Sequence, residues 1–265
     1  MSDQTMLSGK VAVVTGATCE IGRAIALQLV DQGAAVAITG QTPAKVQAVA
    51  SELEKSNATY RTEALDLSQP QAVEGLFSRT AEELGPVDIL VNVAAWRRAA
   101  PFMETDYADW RRTFEVCVDS YFLCSQAAAA QMIEKKWGRI ILFGSVSGVV
   151  YMAPFSAYTA AKGTVHAMVA ALSGELAPHG ITVNEVAPGP VETAYVRENL
   201  PPDAIQSRID RIPMGRMASP EDCAAAVCHL VSPDMGYVTG QSLYVEGGFL
   251  RAGAVPPTRL RKDLS

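Results

Sequence analysis

A chain of 265 residues is long enough to bury a sizeable core within one α/β domain, and its 49% hydrophobic and 19% charged residues exclude the disordered class. Its 22 Lys and Arg against 28 Asp and Glu give a net charge of −6, so there is no basic field to neutralise phosphates and nucleic acid is not an expected partner. The five cysteines form no Cys-x-x-Cys pair, which argues against a disulfide framework or a zinc site and suits a reducing compartment.

Residues Met1 to Met6 lack the basic and apolar regions of a signal peptide, so a cytoplasmic protein is expected. Val11 to Val14 reads as a buried strand, Ile21 to Gln32 as a helix ended by Gly33, and Ala35 to Ile38 as a second strand, together one βαβ unit. Further strands are expected at Tyr60 to Ala64, Ile89 to Val91, Ile140 to Phe143, Thr182 to Val186 and Ser242 to Val245, with helices between them. This alternation predicts a single Rossmann-type, doubly wound α/β domain over residues 1–249, with a seven-stranded parallel sheet covered on both faces. Residues 250–265, with Pro256, Pro257 and several basic residues, read as a C-terminal tail. The uncharged run from Ile140 to Ala161 is long enough to span a membrane. Gly144, Ser145, Ser147, Gly148, Pro154 and Ser156 break it into strand, loop and helix start, and no membrane partner is expected.

Two segments carry chemistry. Thr15 to Gly22 lies between the first strand and the first helix, where backbone N–H groups and the helix dipole can hold a pyrophosphate; Gly16, Thr18, Cys19, Ile21 and Gly22 are its candidate contacts. Glu20 occupies a central position that such loops usually give to glycine, and its carboxylate either faces solvent at the positive helix end or repels the cofactor. Tyr158-Thr-Ala-Ala-Lys162 puts a phenol and an ammonium one turn apart on a helix face. A nearby cation favours the ionised form of a phenol, so such a pair can exchange a proton with an alcohol oxygen, which Ser145 would also hydrogen-bond. At the end of the second strand, Thr39-Gly40-Gln41-Thr42 has no acid to exclude a 2′-phosphate, and Gln41 can donate to one, which favours NADP(H) over NAD(H). His166, His179 and His229 have no ligand-like spacing, so no metal is expected.

From about Gly9 to Gly248 these segments fall in one order, and in that order the chain resembles the short-chain dehydrogenase/reductase family, including its 3-oxoacyl-carrier-protein reductases and secondary-alcohol dehydrogenases. The resemblance implies Ser145, Tyr158 and Lys162 as the catalytic serine, tyrosine and lysine, with Tyr158 and Lys162 also touching the cofactor. It implies Asp66 and Leu67 at the adenine, Asn92 and Ala94 in the segment that the family writes Asn-Asn-Ala-Gly, and Pro188, Gly189, Val191 and Thr193 beside the nicotinamide. Trp96, Tyr151, Phe155 and Tyr195, the last within a flexible Val191 to Met214 segment, would line the substrate site with Ser145 and Tyr158; Arg97 and Arg98 read as loop arginines facing solvent or as groups that receive a carboxylate or a carrier-protein phosphate. Cys117 stands where the family has a helix asparagine in its proton relay, and reads as a buried small hydrophobe or as a redox or relay group.

These features predict an NAD(P)(H)-dependent enzyme that interconverts a ketone and a secondary alcohol. The alternative is a non-catalytic dinucleotide-binding sensor or interaction protein. Ala-rich helices around Tyr121 to Met132 and Gly163 to Leu176 are apolar on more than one face, which predicts a homotetramer or homodimer.

Overall fold

Parallel strands buried on both faces need apolar residues at successive positions, and the Val-, Ile- and Ala-rich runs supply them. The computed structural model, which describes residues 5–56, 58–150 and 154–251, forms strands β1 (Val11–Thr15), β2 (Ala35–Gly40), β3 (Tyr60–Ala64), β4 (Ile89–Asn92), β5 (Gly138–Phe143), β6 (Ile181–Pro188) and β7 (Ser242–Val245). All pair in parallel, in the order β3-β2-β1-β4-β5-β6-β7. Each expected strand is present, several extended by a residue or two. The crossovers contain α1 (Glu20–Asp31), α2 (Pro43–Lys55), α3 (Pro70–Glu83), α4 (Tyr107–Phe114), α5 (Ser120–Lys135), α6 (Ser156–Leu176), α7 (Ala194–Asn199), α8 (Pro202–Ile209) and α9 (Pro220–Val231).

The period of two along β1 splits the core. Ala12 and Val14 pack with Ile25 and Leu29 of α1, Leu53 of α2 and Val227 and Val231 of α9 on one face. Val13 points the other way, into a layer with Leu76 and Phe77 of α3, Ala128 and Met132 of α5 and Val165 and Val169 of α6. Each fully buried Leu or Ile contributes about 1.5–3 kcal/mol relative to exposure, so the helices are held to the sheet mainly by this sorting. The thiols of Cys124, Cys223 and Cys228 belong to these layers, and burial pushes them up to about 12.

Two expectations are revised, and the start of the tail gains local detail. The first helix starts at Glu20 rather than Ile21, because Cys19 caps it with its sulfur accepting from the Gly22 N–H at 3.4 Å. The Val191 to Met214 segment contains two short helices, α7 and α8. The tail read from residue 250 begins inside a 3₁₀ turn, Phe249–Arg251, where Leu250 N–H donates to Glu246 Oε2 at 2.7 Å; the remaining tail residues lie outside the described ones.

Gly16 and Gly9 both have left-handed backbones, φ +66° and φ +75°, but a Cβ on Gly16 would lie 2.7 Å from the Ala94 backbone, whereas one on Gly9 would meet nothing within 4 Å. Gly9→Ala should therefore cost only the left-handed penalty of about 1–2 kcal/mol. Gly16→Ala should cost more by roughly a further 1–3 kcal/mol of overpacking, and urea unfolding of the two variants measures the difference.

Candidate functional site

In a parallel sheet the carboxyl ends of all strands share one edge, and a crevice opens where strand order reverses, here between β1 and β4. The turn after β1 is pinned by Ala17 N–H to Thr39 carbonyl (2.9 Å) and Cys19 N–H to Gly16 carbonyl (3.2 Å). Thr15 Oγ1 accepts from Val93 N–H (3.1 Å) and Ala94 N–H (3.4 Å) and donates to Asn92 Oδ1 (3.4 Å), so the β1 turn and the β4 exit move as one piece. Asn92 Nδ2 is buried there without an acceptor among the described residues. The N–H groups of Glu20 and Ile21, the first of α1, have no acceptor within the helix, so an anion can be held between them and the crevice. Thr18 lies on Gly40, and Gln41 is exposed just after β2. Asp66 is partly desolvated, which works against its charge. The Ser68 N–H and hydroxyl and the Arg112 guanidinium at 3.1 Å outweigh that and hold its carboxyl below the usual carboxylate range.

Ser145, Tyr158 and Lys162 come together at the ends of β5 and α6. Ser145 is buried in the turn after β5; its Oγ accepts from Ser147 N–H (3.1 Å) and lies 3.1 Å from Ser147 Oγ. That turn touches α6 directly, since a Cβ on Gly148 would lie 2.9 Å from the Lys162 carbonyl. Lys162 is 1% exposed, with its Nζ donating to Phe143 carbonyl (2.5 Å) and Tyr121 Oη (3.4 Å) and lying 5.6 Å from the centre of the Tyr158 ring. Burial works against this ammonium, while the acidic groups of Tyr121, Tyr158 and Cys117 around it work in its favour, and its pKa ends above the ordinary lysine value. Burial also drives the Tyr121 phenol upward, against the pull of the ammonium beside it. A buried cation, a partly exposed phenol and a hydroxyl at one strand edge are equipped to pass a proton to an oxygen and to hold that oxygen in place.

Around them, Trp96 and Phe155 are half-buried and Tyr195 is 61% exposed on α7; Tyr151 lies outside the described residues. Leu67, Pro188 and Asn92 are buried, and Ala94, Gly189, Val191 and Thr193 are half-buried. Cys117 is fully buried in a π-helical turn, Glu115–Asp119, and its thiol donates to the Trp96 carbonyl at 3.5 Å.

Glu20, in the first turn of α1, has partners far away in sequence. Its carboxylate accepts from Ala194 N–H and binds Arg197 at 2.8 Å, which ties the first loop to the start of α7. Beside this pair is a concavity of about 330 Å³ lined by Glu20, Arg23, Glu192, Arg197, Ser219, Pro220 and Glu221; none of Ser145, Tyr158 or Lys162 borders it.

Sequence reasoning missed Tyr121 and the Phe143 carbonyl as partners of Lys162, and Arg112 as the partner of Asp66. Tyr121 had one usable signal: it stands four residues after Cys117, so the two share a helix side. The Phe143 carbonyl had none, since any residue there supplies the same atom.

A family profile described as enoyl-(acyl carrier protein) reductase matches residues 16–250. The chain is 37% identical over 244 residues to a (2S)-[(R)-hydroxy(phenyl)methyl]succinyl-CoA dehydrogenase subunit of Thauera aromatica, covering 91% of this chain and 97% of that one. It is also 37% identical over 242 residues to a 3-oxoacyl-[acyl-carrier-protein] reductase of Vibrio cholerae, covering 91% and 98%. A crystal structure of a candidate gluconate dehydrogenase from Agrobacterium tumefaciens superposes with a TM-score of 0.89 at 30% identity, over 94% of this chain and 99% of the other.

The Glu20 tie makes a structural prediction of its own. Losing a hydrogen bond of about 1 kcal/mol should raise local opening roughly fivefold, so in Glu20→Ala trypsin should cleave after Arg197 several-fold faster than in the unaltered protein. Gel analysis of a digestion time course reads this, and an unchanged rate at Arg197 would show that the tie does not hold the segment.

Proposed function

The chain belongs to the short-chain dehydrogenase/reductase family of NAD(P)-dependent oxidoreductases, and from that membership we propose that it interconverts a ketone and a secondary alcohol, with Tyr158 as the proton donor and acceptor. The observation that carries the proposal is the fully buried Lys162 ammonium beside the Tyr158 ring, next to the Ser145 turn. A nicotinamide dinucleotide, when bound, would supply the hydride for the carbonyl carbon. Tyr158 gives its phenolic proton to the carbonyl oxygen, Ser145 donates a hydrogen bond to that oxygen, and Lys162 favours the phenolate that remains.

The crevice fits such a cofactor. Asn92 Nδ2, without an acceptor among the described residues, and the start of α1 lie at a reversal of strand order, the place where dinucleotides bind open α/β sheets. Gly16, Thr18, Cys19, Ile21 and Gly22 would take the pyrophosphate side, Gln41, Asp66 and Leu67 the adenosine side, Asn92 and Ala94 the middle, and Pro188, Gly189, Val191 and Thr193 the nicotinamide side. We favour NADP(H) over NAD(H), because β2 runs out into Gly40, Gln41 and Thr42 with no carboxylate to repel a 2′-phosphate.

The named activities of the Thauera and Vibrio relatives concern acyl thioesters, which makes 3-oxoacyl thioesters a natural substrate series, and half-buried Trp96 and Phe155 suit an apolar portion beside the carbonyl. Self-association through α5 and α6 fits their outward Phe122, Ala130, Ala167, Ala170 and Ala171, all exposed in the single chain. Cys117 offers its thiol to the Trp96 carbonyl, so Tyr121 and the Phe143 carbonyl are the groups left in contact with the Lys162 ammonium.

With NADPH or NADH and a panel of 3-oxoacyl thioesters and cyclic ketones, Tyr158→Phe should lower kcat by roughly 10²–10⁴-fold while the dinucleotide Kd changes little. Loss of absorbance from the reduced cofactor measures turnover, and unaltered turnover in this variant would overturn the assignment. Failure of the intact protein to turn over any ketone, with the dinucleotide bound tightly, would favour a sensor instead.

A further inference from the structure

Two arginines follow Trp96, and the structure uses them differently. Arg98 donates to Asp109 at 2.9 Å. Arg97 has no carboxylate or hydrogen-bond acceptor among the described residues; its guanidinium carbon lies 5.3 Å from the centre of the Phe155 ring and 5.6 Å from that of Tyr158. Both separations are within the roughly 6 Å reach of a cation–π contact.

The backbone fixes this placement. Ala100 N–H donates to the Pro154 carbonyl at 3.0 Å, and Ala100 pairs with Phe155 as an isolated parallel bridge. At the other end of the segment the Trp96 carbonyl accepts the Cys117 thiol. Arg97 thus projects from a stretch tied both to the start of α6 and to the π-helical turn, and it is exposed to solvent.

We propose that Arg97 is a substrate-binding residue that takes a carboxylate carried on the ketone a few bonds from its carbonyl carbon, so that oxo acids are the preferred substrate class. This rests on the reading of Tyr158 as the group that meets the carbonyl oxygen. A cation–π contact holds a guanidinium through its charge and leaves its N–H groups without an acceptor among the described residues, and their edge matches a carboxylate with two parallel hydrogen bonds. An anion drawn to this edge lies beside the Tyr158 ring. That proximity selects a carboxylate close to the reacting carbon, since the phosphates of a pantetheine carrier sit a long flexible arm away from it.

The test compares 4-oxopentanoate and 5-oxohexanoate with their methyl esters, using the intact protein and NADPH, in the unaltered chain, Arg97→Gln, Arg97→Lys and Arg98→Gln. Calorimetric titration of 4-oxopentanoate onto NADPH-loaded Tyr158→Phe, with and without Arg97→Gln, reads binding independently of turnover. The acids should exceed their esters in kcat/KM by about tenfold or more, as for a charge-assisted bidentate contact. Arg97→Gln should bring the ratio to about one, chiefly through the KM of the acids, Arg97→Lys should restore part of it, and Arg98→Gln should leave it in place. A ratio of one or below in the unaltered protein would overturn the proposal, and so would an equal loss for acids and esters in Arg97→Gln, because that pattern assigns Arg97 to the proton of Tyr158. If no ketone turns over but calorimetric binding of the acid disappears with Arg97→Gln, the carboxylate site stands and ketone reduction fails; absence of both turnover and binding overturns both.

Discussion

A lysine ammonium removed from water must be surrounded by oxygen, and Lys162 sets this requirement for the whole strand edge. Transferring such a charge into the interior costs several kcal/mol, so it persists only where good acceptors are already in place. Here they are the Phe143 carbonyl at the last residue of β5 and the hydroxyl of Tyr121 on α5. Three elements are therefore fixed relative to one another: the end of β5, the first turn of α5 and the second turn of α6. Ser145 follows Phe143 by two residues and Tyr158 precedes Lys162 by four, so anchoring the ammonium also brings the hydroxyl and the phenol to the same edge.

The sheet was legible because parallel strands must be apolar on both faces: runs such as Val11-Ala-Val-Val14 and Ile140-Ile-Leu-Phe143 have few other uses at that length. Tyr158 and Lys162 were legible because a helix converts a spacing of four into adjacency. The partners of charged groups were not. Glu20 meets Ala194 and Arg197 across 174 and 177 residues of sequence, and Asp66 meets Arg112 across 46. No periodicity encodes such pairs, since they arise only when loops from different strands converge on one edge. The Val191 to Met214 segment reads as a flexible loop for a related reason, its short helices being set against the rest of the fold by contacts such as Glu20 to Ala194 rather than by a long apolar period.

The sheet order and the general class of chemistry go with the family that relatives 37% identical to this chain show. Side chains at the same edge decide which loops are tied together. Cys117 offers a thiol to the Trp96 carbonyl, Arg97 lies within cation–π range of the Phe155 and Tyr158 rings, and Glu20 bridges two loops.

The bridge from Glu20 to Ala194 and Arg197 joins the two walls of the crevice, one belonging to the turn after β1 and the other to the chain after β6. Coupling between ligands at sites joined in this way is reciprocal: a ligand on one wall that changes affinity at the other by some factor has its own affinity changed by the same factor. The two halves of the site, built from opposite ends of the polypeptide, thus share a single thermodynamic account of occupancy, and neither wall has an intrinsic affinity that can be defined without stating the condition of the other.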